Sequence, residues 1–274
     1  MLNHYPLFDS HLHIIDKRFP LIANNGYLPA EFTCNEYLQR MHSYQLCGGA
    51  VVSGSFQAFD QSYLIAALKS LGPSFVGVTQ LPSSVSDEEI QQLNALGVRA
   101  IRFNLKRGGS ETITHLSTMA SRIYEIANWH VELYLDSKEL AQLFTKITTL
   151  PSVSIDHLGL SKSGLKLLTQ LAEKGVKVKA TGFSRLDFDV APALKDIYSA
   201  NPEALMFGSD LPSTRAPEPY TENDFMLVAD TLGSEAAIKV FSKNAIEFYR
   251  PKIAQPALTP KLPRFGAAEA GVRA

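Results

Sequence analysis

Cysteine is scarce in this chain: Cys34 and Cys47 are the only two in 274 residues. Two thiols build no disulfide framework, and their spacing suits no zinc knuckle, so a reduced, cytoplasmic setting is expected. No run of about 18 uninterrupted apolar residues occurs, which excludes a membrane-spanning helix. The opening stretch MLNHYPLFDSHLH lacks the basic region and apolar run of a signal peptide. Charge of one sign is missing too. Lys and Arg number 26 against 27 Asp and Glu, a net charge of -1, which argues against nucleic acid or an anionic membrane as partner. No glycine-rich dinucleotide loop follows the first apolar run, and no internal repeat is visible.

What is present is a regular alternation. Hydrophobic residues make up 45% of the chain, enough for the core of one large domain. Short β-branched or apolar runs predict strands at 7–14, 48–53, 75–80, 98–104, 131–135, 153–156, 176–181 and 204–208. Amphipathic stretches predict helices at 35–45, 61–71, 87–96, 113–128, 137–150, 162–174, 190–200, 222–232 and 235–249. Ser86 followed by three acidic residues reads as a helix start. Gly72-Pro73, Leu96-Gly97 and Lys174-Gly175 read as helix ends. Strict alternation implies parallel strands joined by helical crossovers. An open doubly wound sheet would alternate in the same way. Eight strands, polar residues gathered after them and no dinucleotide loop favour a single (β/α)8 (TIM) barrel over residues 1–250. Residues 251–274, rich in Pro and Ala without apolar period, read as a tail.

The barrel assignment gives particular polar residues a place. In FDSHLHIID, His11 and His13 are two apart, so on a strand both imidazoles share a face, with Asp9 on the same face and Leu12 on the other. Alone, such a pair is as well explained by two hydrogen-bonded polar residues at a strand end. His157 follows the sixth strand and Asp210 the eighth. Each sits where an apolar run breaks, at the carboxyl-end rim where barrel enzymes carry their chemistry. A buried Asp210 requires a counter-charge: a cation, a metal or a protonated histidine. A second group is basic. Arg102 ends the fourth strand, Arg107 lies in the loop after it, and Arg185 follows the seventh strand. Guanidinium forks at one mouth suit a small carboxylated substrate, although any one of them could serve an ordinary rim salt bridge. Arg99, three before Arg102, faces the other way. Tyr134 ends the fifth strand, as mouth filler or as hydrogen-bonding group.

The runs DSHLH, GVRAIRFNL, DHLG, GSDLP and NAIEFY resemble the amidohydrolase superfamily, and within it the branch of 2-pyrone-4,6-dicarboxylate lactonase and the sugar-acid lactonases. They span residues 9 to 249 in the family's order. The resemblance implies a distorted (β/α)8 barrel of the metal-dependent-hydrolase kind. It implies that His11, His13 and His157 act on the substrate carbonyl, that Asp210 is the general base, and that Arg102, Arg107, Arg185 and Tyr134 hold the substrate. At Arg107 the match is looser, because the segment after Arg102 is one residue shorter. Tyr134 stands where most metal-dependent members carry a bridging lysine or a histidine, which removes the bridge of a two-metal centre.

These readings converge on a hydrolase that opens a carboxylated lactone with no required metal. One divalent ion, zinc or manganese, on His11, His13, His157 and Asp210 is the admissible addition. Two rivals use the same residues: a mononuclear metal-dependent decarboxylase or amidohydrolase, and a non-catalytic binder of carboxylated metabolites. Specificity is expected in loops 18–32, with Asn24, Asn25 and Tyr27, and 214–223, with Arg215. Oligomeric state has no signature in the sequence.

Overall fold

In the computed structural model, which describes residues 2–252, eight parallel strands follow one another around a single sheet in sequence order. They are β1 (Pro6–Leu12), β2 (Gln45–Val52), β3 (Phe75–Thr79), β4 (Val98–Asn104), β5 (His130–Tyr134), β6 (Val153–Ile155), β7 (Lys177–Ala180) and β8 (Leu205–Phe207). Around them lie α1 (Cys34–Arg40), α2 (Ser62–Leu71), α3 (Asp87–Ala95), α4 (Leu116–Ala127), α5 (Leu140–Thr148), α6 (Leu165–Glu173) and α7 (Val190–Ala200). After β8 come α8 (Glu222–Leu232), α9 (Ser234–Ile238), a π-helical stretch over Lys239–Lys243, and α10 (Asn244–Tyr249). The tail expected at 251–274 lies outside the described residues, apart from Pro251 and Lys252. No described helix is long and apolar enough to cross a membrane.

The expected elements return with two differences. The helix expected over 35–45 ends at Arg40, because Gln45 and Leu46 already pair with Pro6 and Leu7 in the sheet. Ladder hydrogen bonds prevail there over a weak helical pattern. The helix expected at 235–249 is divided by the π-helical stretch, where the Ser242 hydroxyl donates to the Ile238 carbonyl at 3.0 Å. Ser86 does start α3, accepting from Glu89 N at 3.1 Å.

Alternation along the strands separates two apolar regions. Outward residues such as Val51, Ile101, Leu133, Ile155 and Val178 pack against Leu64, Ile90, Ile123 and Leu168 of the surrounding helices. Inward residues Phe8, Ala50, Val76, Ala100 and Met206 fill the lower lumen, which Ala245 and Tyr249 close from below. Each large side chain buried this way contributes about 1.5–3 kcal/mol.

The ring closes between β8 and β1 without a ladder among the described residues. Two backbone bonds replace it, Asp210 N to His11 O at 2.7 Å and His13 N to Leu211 O at 2.8 Å. The approach is close. A Cβ on Gly208 would lie 2.6 Å from His11 N, so glycine is the residue that fits. The seam therefore places Asp210 directly beside His11 of β1 and beside His13, which follows the strand's last residue instead of lying within it as expected.

Candidate active site

The register of β1 slips between Asp9, opposite Gly49, and Leu12, opposite Val51. This bulge corrects the expectation that Asp9 shares the lumen face with His11 and His13. The extra residue turns Asp9 outward, where it accepts from Ser209 N (2.8 Å), Ser209 Oγ (2.6 Å) and the Tyr37 hydroxyl (3.1 Å). Asp9 is thus a strut of the seam, and burial pushes its carboxyl up to about 6 despite these donors.

His11, His13, His157 and Asp210 are all buried and meet at the upper lumen. The Nδ1 of His13 lies 2.7 Å from the Val52 carbonyl. A carbonyl only accepts, so in the neutral form of the ring the proton sits on Nδ1 and a lone pair at Nε2 faces Asp210 Oδ1, 3.6 Å away. His11 directs Nε2 at the same oxygen from 3.8 Å. Burial, and next the nearby Lys179 ammonium, lower the His11 pKa to about 4, so its ring is neutral at pH 7. His157 lies two residues beyond the end of β6 in a left-handed turn, with φ of 51°. Its ring packs 5.0 Å from that of His11 and 4.9 Å from that of Tyr134, and burial holds its pKa well below the ordinary value. Gly182 backs onto it, since a Cβ there would lie 2.8 Å from His157 Nδ1.

Asp210 also has positive φ, 57°. Backbone of this kind in non-glycine residues clusters at functional sites. Its Oδ2 accepts from Arg185 Nε (2.9 Å) and NH2 (2.6 Å), while Oδ1 has no hydrogen-bond partner. Burial alone would raise this carboxyl, but Arg185 holds it well below the usual range. The counter-charge that the sequence demanded is therefore an arginine.

The basic residues line one cleft above this floor. Arg102 is buried beneath Tyr134, its guanidinium carbon 5.1 Å from the ring centre. It donates from Nε and NH2 to Asp156 Oδ2 (3.1 and 2.8 Å) and from NH1 to the Ser53 carbonyl (2.9 Å). Two of its five N–H groups remain for another acceptor. Arg107 lines the mouth, and among the described residues its guanidinium has no hydrogen-bond or ion-pair partner. Arg185 reaches the cleft but is engaged with Asp210. Arg215, from the loop over 214–223, stacks 4.3 Å over Tyr27 and donates to Asn24 Oδ1 at 3.1 Å, which joins the two loops expected to set specificity. Arg99 points away, bonded to Asn94.

Sequence reasoning missed a layer beneath the floor: Glu132, Asp156 and Lys179, all fully buried. The signal was a charged residue at alternate positions of strands that are otherwise apolar, as in HVELY and KVKA. Asp156 was in view within DHLG without a role.

Chemically, the floor offers a carboxylate oxygen, neutral imidazoles and orphaned polar atoms. His11, His157 and Asp210 present ligand atoms within 4.8 Å of one another. His11 Nε2, His157 Nδ1 and Asp210 Oδ1 are buried without partners. That donor set fits a single divalent cation, and it equally fits a carbonyl oxygen with an attacking water.

Comparison with known proteins bears on the family and the fold. Residues 8–250 match the amidohydrolase family model. A 2-pyrone-4,6-dicarboxylate hydrolase of Comamonas testosteroni is 31% identical over 156 residues, 55% of this chain and 51% of that protein. The match thus spans about half the length of this curated relative. Among solved structures, an apo protein of Agrobacterium tumefaciens superposes with TM-score 0.79 at 18% identity, covering 90% of this chain and 97% of that one. A probable 2-pyrone-4,6-dicarboxylic acid hydrolase of Acinetobacter baumannii, solved with citric acid bound, superposes with TM-score 0.77 at 20% identity, covering 89% and 99%. At these identities the superpositions speak to fold.

Proposed function

The chain belongs to the amidohydrolase family, and from that premise we propose that it hydrolyses a lactone borne on a small carboxylated substrate, with Asp210 as the base that activates water. One observation carries this reading: Asp210 Oδ1 lies unpartnered beside His11 and His13 at the floor of an arginine-lined cleft. The dicarboxylate substrate in the name of the Comamonas relative supports the substrate class.

In this mechanism Arg107 and the free donors of Arg102 take the carboxylate, and Tyr134 forms the wall beside them. Arg185 keeps Asp210 on Nε and NH2 and turns its NH1 group to the substrate. The lactone carbonyl oxygen lies against His11 and His157, where hydrogen bonding stabilises the charge that develops on it, while the Nε2 lone pair of His13 faces the attacking water. Water attacks the carbonyl carbon while Asp210 Oδ1 takes its proton. The ring C–O bond then breaks, and the protonated Asp210 returns the proton to the departing oxygen.

The His11, His157 and Asp210 cluster favours a second, metal-dependent reading. Those residues, with His13 beside them, would hold the ion, which when bound supplies Lewis-acid polarisation of the carbonyl.

Asp210→Asn tests the base. Turnover of carboxylated lactones should fall about a hundredfold or more, while product binding, measured by calorimetry, stays within a few-fold. Substantial turnover in this variant would exclude Asp210 as base. The same assay run with a chelator separates the two readings, since activity that survives metal removal supports the first.

A further inference from the structure

Below the floor lies charge with no role in the steps above. The Lys179 ammonium donates to Glu132 Oε2 at 2.5 Å and sits 3.6 Å from Asp156 Oδ1. The Tyr249 hydroxyl and His130 occupy the other oxygen of Glu132, and Arg102 occupies the other oxygen of Asp156. Two carboxylates and two cations thus balance inside the lumen. His11, Glu132 and Asp156 form a second group whose ligand atoms lie within 4.8 Å of one another. Lys179 Nζ is the cation found against all three.

The consequence falls on His11. Its Nδ1 lies 3.2 Å from Lys179 Nζ, and an ammonium has donors only. Nδ1 must then accept, which leaves the single proton of the neutral ring on Nε2. The competing arrangement has Nδ1–H donating to Asp156 Oδ1. That separation is 3.5 Å, beyond a good N–H···O bond, and this Asp156 oxygen has no hydrogen-bond partner. The competitor is also the carboxylate–histidine pairing that prepares a ring to bind metal through its other nitrogen. The two arrangements therefore present opposite chemistry at Nε2: a donor in one, a ligand in the other.

We infer that Lys179 is a positioning residue that holds His11 as the Nε2–H tautomer, so that His11 meets the substrate as a hydrogen-bond donor to the carbonyl oxygen and not as a ligand of a divalent ion. The inference rests on the reading of this floor as a carbonyl-polarising site. It also assigns different work to His11 and to His13, one residue beyond β1. His13 is protonated at Nδ1 by its bond to Val52 and presents a lone pair, suited to hold the attacking water. His11 presents a proton.

Proton-coupled 15N NMR on the full-length protein at neutral pH reads the tautomer directly, with the His11 signals identified by their loss in His11→Gln. The expected result is a bonded proton on His11 Nε2 and none on Nδ1, with the reverse in His13. A proton on His11 Nδ1 would overturn the inference. In Lys179→Met, which removes the donor at similar length, the proton should move to Nδ1, and zinc affinity by calorimetry should rise at least tenfold. A variant that keeps the original tautomer and zinc affinity would overturn it as well. Should that variant not fold, the measurement on the parent protein still decides. The expected tautomer in a protein that turns over no carboxylated lactone would leave the positioning role standing and remove the functional reading alone.

Discussion

Arg185 occupies Asp210 from one side and leaves the other oxygen bare. That asymmetry is the chemical content of the site at the level of single residues. Bonded on Oδ2, the carboxylate stays ionised, and Oδ1 remains free to receive a proton. Two imidazoles near it are held below the ordinary histidine value, His11 down to about 4 chiefly by burial and His157 lowered for the same reason. The pH dependence follows from the sign of these shifts. Each group is in its working form, neutral ring or carboxylate, above its own pKa. We therefore expect the loss of kcat/KM on a carboxylated lactone that accompanies protonation of His11 to be centred nearer pH 4. An ordinary histidine near 6.5 would centre that decline about two units higher. An acid limb centred at 6.5 would show that the working histidine is not held in this buried environment.

At the scale of elements, the seam between β8 and β1 decides whether the site exists. The backbone bonds of Asp210 and His13, the donors to Asp9 from Ser209 and His11, and the close approach of Gly208 all lie there. Gly208→Ala puts a methyl group within 2.8 Å of His11 Cβ and closer still to His11 N, and backbone has little room to yield. Such overpacking costs about 1–3 kcal/mol. We expect a fall of several degrees in melting temperature together with at least a tenfold loss of kcat, because the shift moves His11 against Asp210. A Gly208→Ala protein with parental kcat would mean that the geometry of the seam does not set that of the site. The seam also marks where the sequence stopped being informative. Alternating apolar runs showed eight strands, and breaks in those runs pointed to His157 and Asp210. A bulge adds one residue without any compositional mark, so Asp9 was placed on the wrong face. The partners of Lys179 come from β1, β5 and the residue just after β6, and no local pattern links KVKA to HVELY or DHLG. Arg185 was legible as a rim arginine, whereas its bond to Asp210 depends on how two loops meet.

For the molecule as a whole, the balance of charge is what a ligand would disturb. The chain is close to neutral, with 26 basic and 27 acidic residues, yet Arg102, Arg107, Arg185 and Arg215 line one cleft. Inside the fold, Arg102 and Arg185 are matched by Asp156 and Asp210, while Arg107 has no partner among the described residues. A carboxylated ligand supplies the missing anion and binds the folded form alone, so mass action should raise stability, by about 2.7 kcal/mol at a hundredfold excess over Kd. For a domain of this size that corresponds to a rise of roughly 5–10 °C in melting temperature. The increment should be smaller at high ionic strength, because the mouth is open to solvent and screened. It should also fall in Arg107→Ala and persist in Asp210→Asn. A neutral lactone that stabilises the protein as much as its carboxylated counterpart would refute the arginine cleft as a carboxylate site. Stabilisation by the carboxylated lactone without any turnover would make this cleft a receptor for such acids, one whose base never meets a carbonyl it can hydrolyse.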